Sequence, residues 1–160
     1  MAVVGNSTLG MKVYYAVESN AGTKPTALSA YTEIVGIKEI PSMGEEASSI
    51  DVTPLAEQNF RQYVAGLKDT GGTITFTANN TNEFQTAWTT LVSAYATGIA
   101  SGKNTWFCIT HPNLTNAFYF TGEPVALGLS GASVNEALNL GANVIAGKVN
   151  GWEAKPTSTT

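Results

Sequence analysis

Only one stretch of this sequence carries an extended helical period, residues 80–99, and the other ordered stretches must form the surface it packs on. Asn80 with Glu83 three residues later is a helix start signal. Phe84, Ala87, Trp88, Leu91, Val92, Tyr95 and Ile99 then recur at helical spacing. Gln85, Thr86, Thr89, Thr90 and Ser93 take the opposite face, and Thr97, Gly98, Ser101 and Gly102 mark the end. Such a rod is roughly 27 Å long at 1.5 Å per residue. Its expected buried face is Phe84, Trp88, Leu91 and Tyr95, each contributing about 1.5–3 kcal/mol before ordering costs.

The remainder reads as strands. Residues 1–10 carry little pattern and read as an arm. Residues 11–17 (MKVYYAV) have strand composition, and residues 19–29 contain Asn20, Gly22 and Pro25 and read as a loop. Residues 32–40 (TEIVGIKEI) are expected to form one strand, with Gly36 as a bulge or a point of close approach. A nine-residue loop, 41–49, then leads into a strand at 50–53, exceeding the usual hairpin length of about 2–5 residues. Its Met43, Glu45 and Glu46 suit either a partner contact or a solvated loop. Residues 61–67 and 73–78 flank Lys68-Asp69-Thr70-Gly71-Gly72, the signal of a hairpin joining them. The second arm alternates Ile74, Phe76 and Ala78 against Thr73, Thr75 and Thr77, as a half-exposed strand does. Beyond the helix, strands are expected at 105–111, 117–127, 134–140 and 143–152, with residues 154–160 fraying. One helix with eight or so strands makes a mainly β, α+β domain: an antiparallel sandwich or barrel with one flanking helix, spanning 1–153.

Composition narrows the function. Eight basic against twelve acidic residues give a net charge of −4. The lysines are scattered, which argues against a nucleic-acid-binding footprint. No secretion signal and no membrane span are expected. Catalytic equipment is thin. Cys108 and His111 lie three apart on a strand, so they face opposite sides and cannot form a nucleophile–base pair. Cys108 is alone, which excludes an intrachain disulfide, and a single His makes a zinc site improbable. Glu45-Glu46 is the only adjacent carboxylate pair, and Gly128-Leu129-Ser130-Gly131 lacks the spacing of a phosphate loop. No catalytic, metal or cofactor residue is assigned. Trp88, Trp106 and Trp152 read as core or interface residues before a sugar platform. Binding or assembly is favoured over catalysis.

Ile50-Asp51-Val52-Thr53, followed by Tyr63-Val64, Gly66-Leu67, Asp69, Gly71-Gly72 and then Phe84, resembles the pattern of the tail tube (major tail) proteins of long-tailed bacteriophages. Gly36-Ile37-Lys38-Glu39-Ile40-Pro41, Asn135-Glu136-Ala137 and Gly147-Lys148-Val149 are similar too, so the resemblance covers about residues 32–150. It implies a β-sandwich or barrel with one flanking helix, built as a homo-oligomer of six-membered rings stacked into a tube. It also implies tape measure and tail terminator proteins as partners, DNA passing without specific binding, and a virion tail assembled in the bacterial cytoplasm. The loop before Ile50 would contribute contacts between subunits, placing the interface at Ile40, Pro41, Met43, Gly44, Glu45, Glu46, Ile50 and Asp51. The alternatives are a carbohydrate- or protein-binding β-sandwich, using Trp106 or Trp152, and the tube protein of a contractile secretion system.

Overall fold

The structure is a computed structural model; it describes residues 5–44 and 46–158, with Glu46 described by its backbone. Among the described residues, nine strands and one α-helix follow one another. The strands are β1 Lys12–Val17, β2 Thr32–Glu33, β3 Ile37–Glu39, β4 Glu46–Asp51, β5 Tyr63–Asp69 and β6 Thr73–Asn79; helix α1, Asn82–Ala100, comes next. Then come β7 Thr105–Thr110, β8 Asn116–Pro124 and β9 Asn139–Ala154. Seven strands form one antiparallel sheet in the order β2-β1-β7-β8-β9-β6-β3, and β4 and β5 form a sheet of their own.

The seven-stranded sheet is tightly curled. Strands β2 and β3 are its two edges, yet only residues 34–36 separate them. Four residue steps reach about 14 Å at most, whereas the edges of a flat sheet of this size would lie about 29 Å apart. The edges must therefore come round toward each other. Residues 32–40 are thus two strands where one was expected. The break falls at Gly36, whose φ of +99° carries the chain across a bend. The bridging residues bond to the strand next to each edge: Ile34 N–H donates to Val13 O on β1 at 2.8 Å, and Asn79 N–H on β6 donates to Gly36 O at 3.0 Å.

Helix α1 closes the inside of the curl. Phe84, Trp88, Leu91 and Gly98 are buried, Tyr95 is half-buried, and Ile99 is exposed. The sequence reading holds for the first three turns. It overreaches at the C-terminal end, where Tyr95 turns toward the Glu123 carboxylate. Trp88 Nε1 donates to Val125 O at 2.7 Å, and Phe84 stacks on Trp88 with ring centroids 5.9 Å apart. Phe107 stacks on Phe120 at 5.0 Å in the same core, which also holds Phe76 and Val144. The cap is Thr81, one residue later than expected: its Oγ1 accepts from Phe84 N–H at 3.2 Å. Asn80 instead accepts from the Gln85 amide. At the other end Lys103 N–H donates to Gly98 O and Gly102 N–H to Ile99 O, with Gly102 at φ +71°, a Schellman motif.

A second, smaller core lies on the outer face of β1, β7 and β8, where Ala16, Trp106, Cys108, Ala117 and Tyr119 are covered by Tyr31 and the loop before it. Lys24 pairs with Glu153 and stands 4.0 Å from the Tyr119 ring centroid. The C-terminal residues, expected to fray, are tied down here as far as Thr157: its N–H donates to Thr26 O, its carbonyl accepts from Leu28 N–H, and Lys155 Nζ donates to His111 O. Residues 1–4 of the expected arm and 159–160 of the tail lie outside the described residues.

Two further expectations change. Strands β5 and β6 do not pair. Gly71 and Gly72, both at positive φ, hand the chain from one sheet to the other, and β6 pairs with β9 and β3. No strand covers 134–138; β9 begins at Asn139 and runs sixteen residues, absorbing the segment expected at 143–152. Val134 and Leu138 alternate as in a strand but are exposed, because nothing in the subunit lies over them. The alternation of β6 is as read: Ile74, Phe76 and Ala78 are buried and the threonines are not.

Candidate assembly surface

The polar side chains that a sequence search for chemistry singles out serve structural roles. Among the described residues no three His, Cys, Asp or Glu side chains converge as metal ligands. Cys108 is fully buried, and burial pushes its thiol up to about 11, so it is held as an inert thiol. His111 is spent on a turn: Nδ1 accepts from Asn113 N–H at 3.1 Å, which leaves Nε2–H to donate to Ser7 O at 2.6 Å. Glu18 is a buried carboxylate with 2% exposure. It accepts from Trp106 Nε1 at 2.8 Å, Gly22 N–H at 2.8 Å, and both the backbone and side-chain N–H of Asn104. Burial raises its pKa, but these donors outweigh that and hold it below the ordinary glutamate value. The carboxylate stitches the end of β1 to the loop that leaves α1.

The outward-looking chemistry is on β4 and β5. This pair stands apart as a two-stranded hairpin, with Ile50 opposite Val64 and Asp51 opposite Tyr63. A lone hairpin of this kind is only marginally stable in water and needs a neighbour. Its side chains match that need. Leu67 is 89% exposed, Tyr63 53% and Ile50 51%, and Val64 and Val52 are also exposed. Phe60, 80% exposed, and Leu55 project from the connection. Strand alternation puts Ile50 and Val64 on one face and Tyr63 on the other, with Leu67 at the register shift between Ala65 and Lys68, so each face bares an apolar side chain. Gly66 keeps the pair close, since a Cβ there would lie 2.4 Å from Ser48 Oγ. Asp51 shapes the tip: its Oδ1 accepts from the Thr53 hydroxyl and from Thr53 N–H, and those bonds hold its carboxyl low.

The residues expected at an interface divide between base and arm. Ile40 and Met43 are half-buried and pack partly on the main core, with Pro41 and Gly44 half-buried beside them. Ile50 and Asp51 lie out on the hairpin. Glu46 opens β4 opposite Asp69, so the expected loop is shorter than nine residues, and Glu45 lies outside the described residues. The sequence reading missed Tyr63, Val64 and Leu67 as surface residues. The available signal was a strand apolar on both faces beside a helix that already had its sheet. Trp88 and Trp106 are buried, so only Trp152, edge-on to Phe118 at 5.5 Å, is open as a platform.

A curled seven-stranded sheet, one helix across its inside and a detached apolar hairpin form the frame for comparison with known proteins. Residues 5–108 match the family model of the lambda-like phage tail tube protein. The chain belongs to that family. It is a structural subunit of a tail tube, a virion component and not an enzyme. Solved structures share the tail tube fold at low identity. A chain of the anti-feeding prophage baseplate, six-fold symmetrised, superposes with a TM-score of 0.61 at 9% identity, over 96% of this chain and 98% of its own. The virion of a native gene transfer agent gives 0.56 at 13%, and the tail of the empty gene transfer agent particle, refined with C6 symmetry, gives 0.55 at 14%. Both of these cover 92% of this chain and 98% of their own. No curated relative matches. Among the described residues of this tail tube protein, no helix is long and apolar enough to cross a membrane.

Proposed function

We propose that this tail tube protein closes into rings of six and that the rings stack into the conduit through which the phage genome leaves. The observation that carries the reading is the β4–β5 hairpin. It bares apolar side chains on both faces, which a free subunit cannot bury and a neighbour in the same or the next ring can. Residues 1–153 act as one tube domain, whose contacts with neighbours take in Ile40, Pro41, Met43, Gly44, Glu45, Glu46, Ile50 and Asp51. The six-fold and C6 symmetry of the similar structures supports the ring number. A tape measure protein inside the growing tube, a terminator at its end and assembly in the host cytoplasm complete the reading. Electron microscopy of concentrated purified protein tests it: rings or tubes of even diameter with six-fold averages are expected, and a sample that stays monomeric with or without tail-tip complexes would overturn it.

A further inference from the structure

The outer face of the curled sheet is of two kinds. Over β1, β7 and β8 it is sealed by the loop before Tyr31 and by the C-terminal residues. Over β6 and β9 it is bare. There the register sets Thr73 opposite Ile145, Thr75 opposite Asn143, Thr77 opposite Gly141 and Asn79 opposite Asn139. No charged residue occurs in 73–79 or in 139–147. The hydroxyls and amides are partly engaged with each other: Thr75 Oγ1 donates to Asn143 Oδ1 at 2.7 Å. The charges stand at the margins, with Lys38 and Glu39 on β3, Glu123 on β8 opposite Ile145, and Lys148 further along β9, and Lys38 Nζ is bonded to Asn139 Oδ1 at 3.1 Å at one end of the face.

That composition fits neither ordinary use of a protein surface. A freely solvated face is normally dense in Lys, Glu, Asp and Arg. The centre of a protein–protein contact is normally aromatic and apolar; this face carries Ile145 among hydroxyls and amides, whereas the hairpin bares Ile50, Val64, Tyr63 and Leu67 together. We infer that the bare face of β6 and β9 lines the bore of the tube, as a neutral hydroxyl and amide track past which a nucleic-acid duplex slides; this rests on the tube reading above. A duplex carries one negative charge per about 1.7 Å, and each phosphate neutralised by a cation steepens the salt dependence of binding by about 0.9. The central stretch of this face, from Thr73 to Thr77 and from Gly141 to Ile145, has no cation of its own to add to that attraction and no carboxylate to add repulsion. Gly141 keeps the track low, since a Cβ there would press to 3.2 Å on Thr75 Cγ2.

Single cysteines at Thr75 and, separately, Asn143 test the assignment, because the native Cys108 is fully buried and silent. Each variant is treated with N-ethylmaleimide and with a maleimide on a long polyethylene glycol chain, as free subunits and as tubes. Free subunits should react with both reagents. Tubes should react with the small reagent and lose reaction with the bulky one. Tubes that take both reagents would place the face on the outside, and tubes that take neither would place it in a contact between subunits; either result overturns the inference. If the wild-type chain forms no tubes, the tube reading itself falls, an outcome distinct from tubes that form and label in the wrong pattern. Thr75→Lys tubes give an independent readout: they should gain nuclease-protected retention of a short duplex that is lost as salt is raised, and retention that nuclease removes counts against the bore.

Discussion

Gly98 has the smallest side chain on the buried face of α1, and its size is set by a neighbour. A Cβ there would come within 2.6 Å of Val17 Cγ1, so this turn of the helix can lie against the end of β1 only without a side chain. Gly98→Ala gains about 1 kcal/mol of helix propensity but meets an overpacking cost of about 1–3 kcal/mol. The variant is expected to melt earlier in denaturant, with Val17→Ala restoring much of the loss in a double-mutant cycle. Glu18 works by hydrogen bonding. Replacing it with Gln turns one acceptor into a donor facing N–H groups and is expected to cost about 1–3 kcal/mol at neutral pH. Its carboxyl is held below the ordinary glutamate value, so its contribution is complete above that ordinary value and is lost as pH falls through the lowered folded-state pKa. Acid titration of stability should therefore fall more steeply in the wild type than in Glu18→Gln. Neither role was legible in the sequence: Gly98 read as a helix end and nothing singled out Glu18, because both depend on what a distant segment places beside them.

The elements divide between those that hold the subunit together and the one that leaves it. Helix α1 was legible nearly to its ends, because twenty residues of one period give many concordant signals and both caps are local. The hairpin was misassigned for the converse reason. Lys68 to Gly72 is a sound turn signal, and two glycines at positive φ do turn the chain, but a turn does not specify that its flanks pair. Strand β6 found β9, whose partner residues lie about seventy positions away and carry no local mark. Leu67 serves the arm alone. Leu67→Asp is expected to leave the melting of the free subunit within about 0.5 kcal/mol, as for other exposed positions, and to abolish tubes in the microscope. Unaltered tubes from that variant would remove the hairpin from the contact. Removing residues 42–49 is the less clean experiment, since it takes away four of the six residues of β4 along with the loop.

At the scale of the molecule, the curl is what the sequence concealed. The fold class, one helix on a largely antiparallel sheet, follows from periodicity; closure follows from a single glycine that sends three residues from one edge to the other. Gly36→Ala must place a side chain at φ +99°, in a region that costs about 1–3 kcal/mol, with the Phe84 ring 3.7 Å from the new Cβ. A lowered denaturation midpoint with an unchanged slope is expected. Closure also decides where strands are left open. The edges of the main sheet are a two-residue and a three-residue strand, too short to template another chain, whereas β4 and β5 have six and seven residues with nothing beside them. Translated into rates, this makes growth a nucleated process. Ordering two such arms against each other from solution costs entropy on both sides, while adding one subunit to an existing end orders only the newcomer. Light scattering of free subunits should show a lag that short tube fragments abolish, and tube length would then be governed by how many ends are supplied.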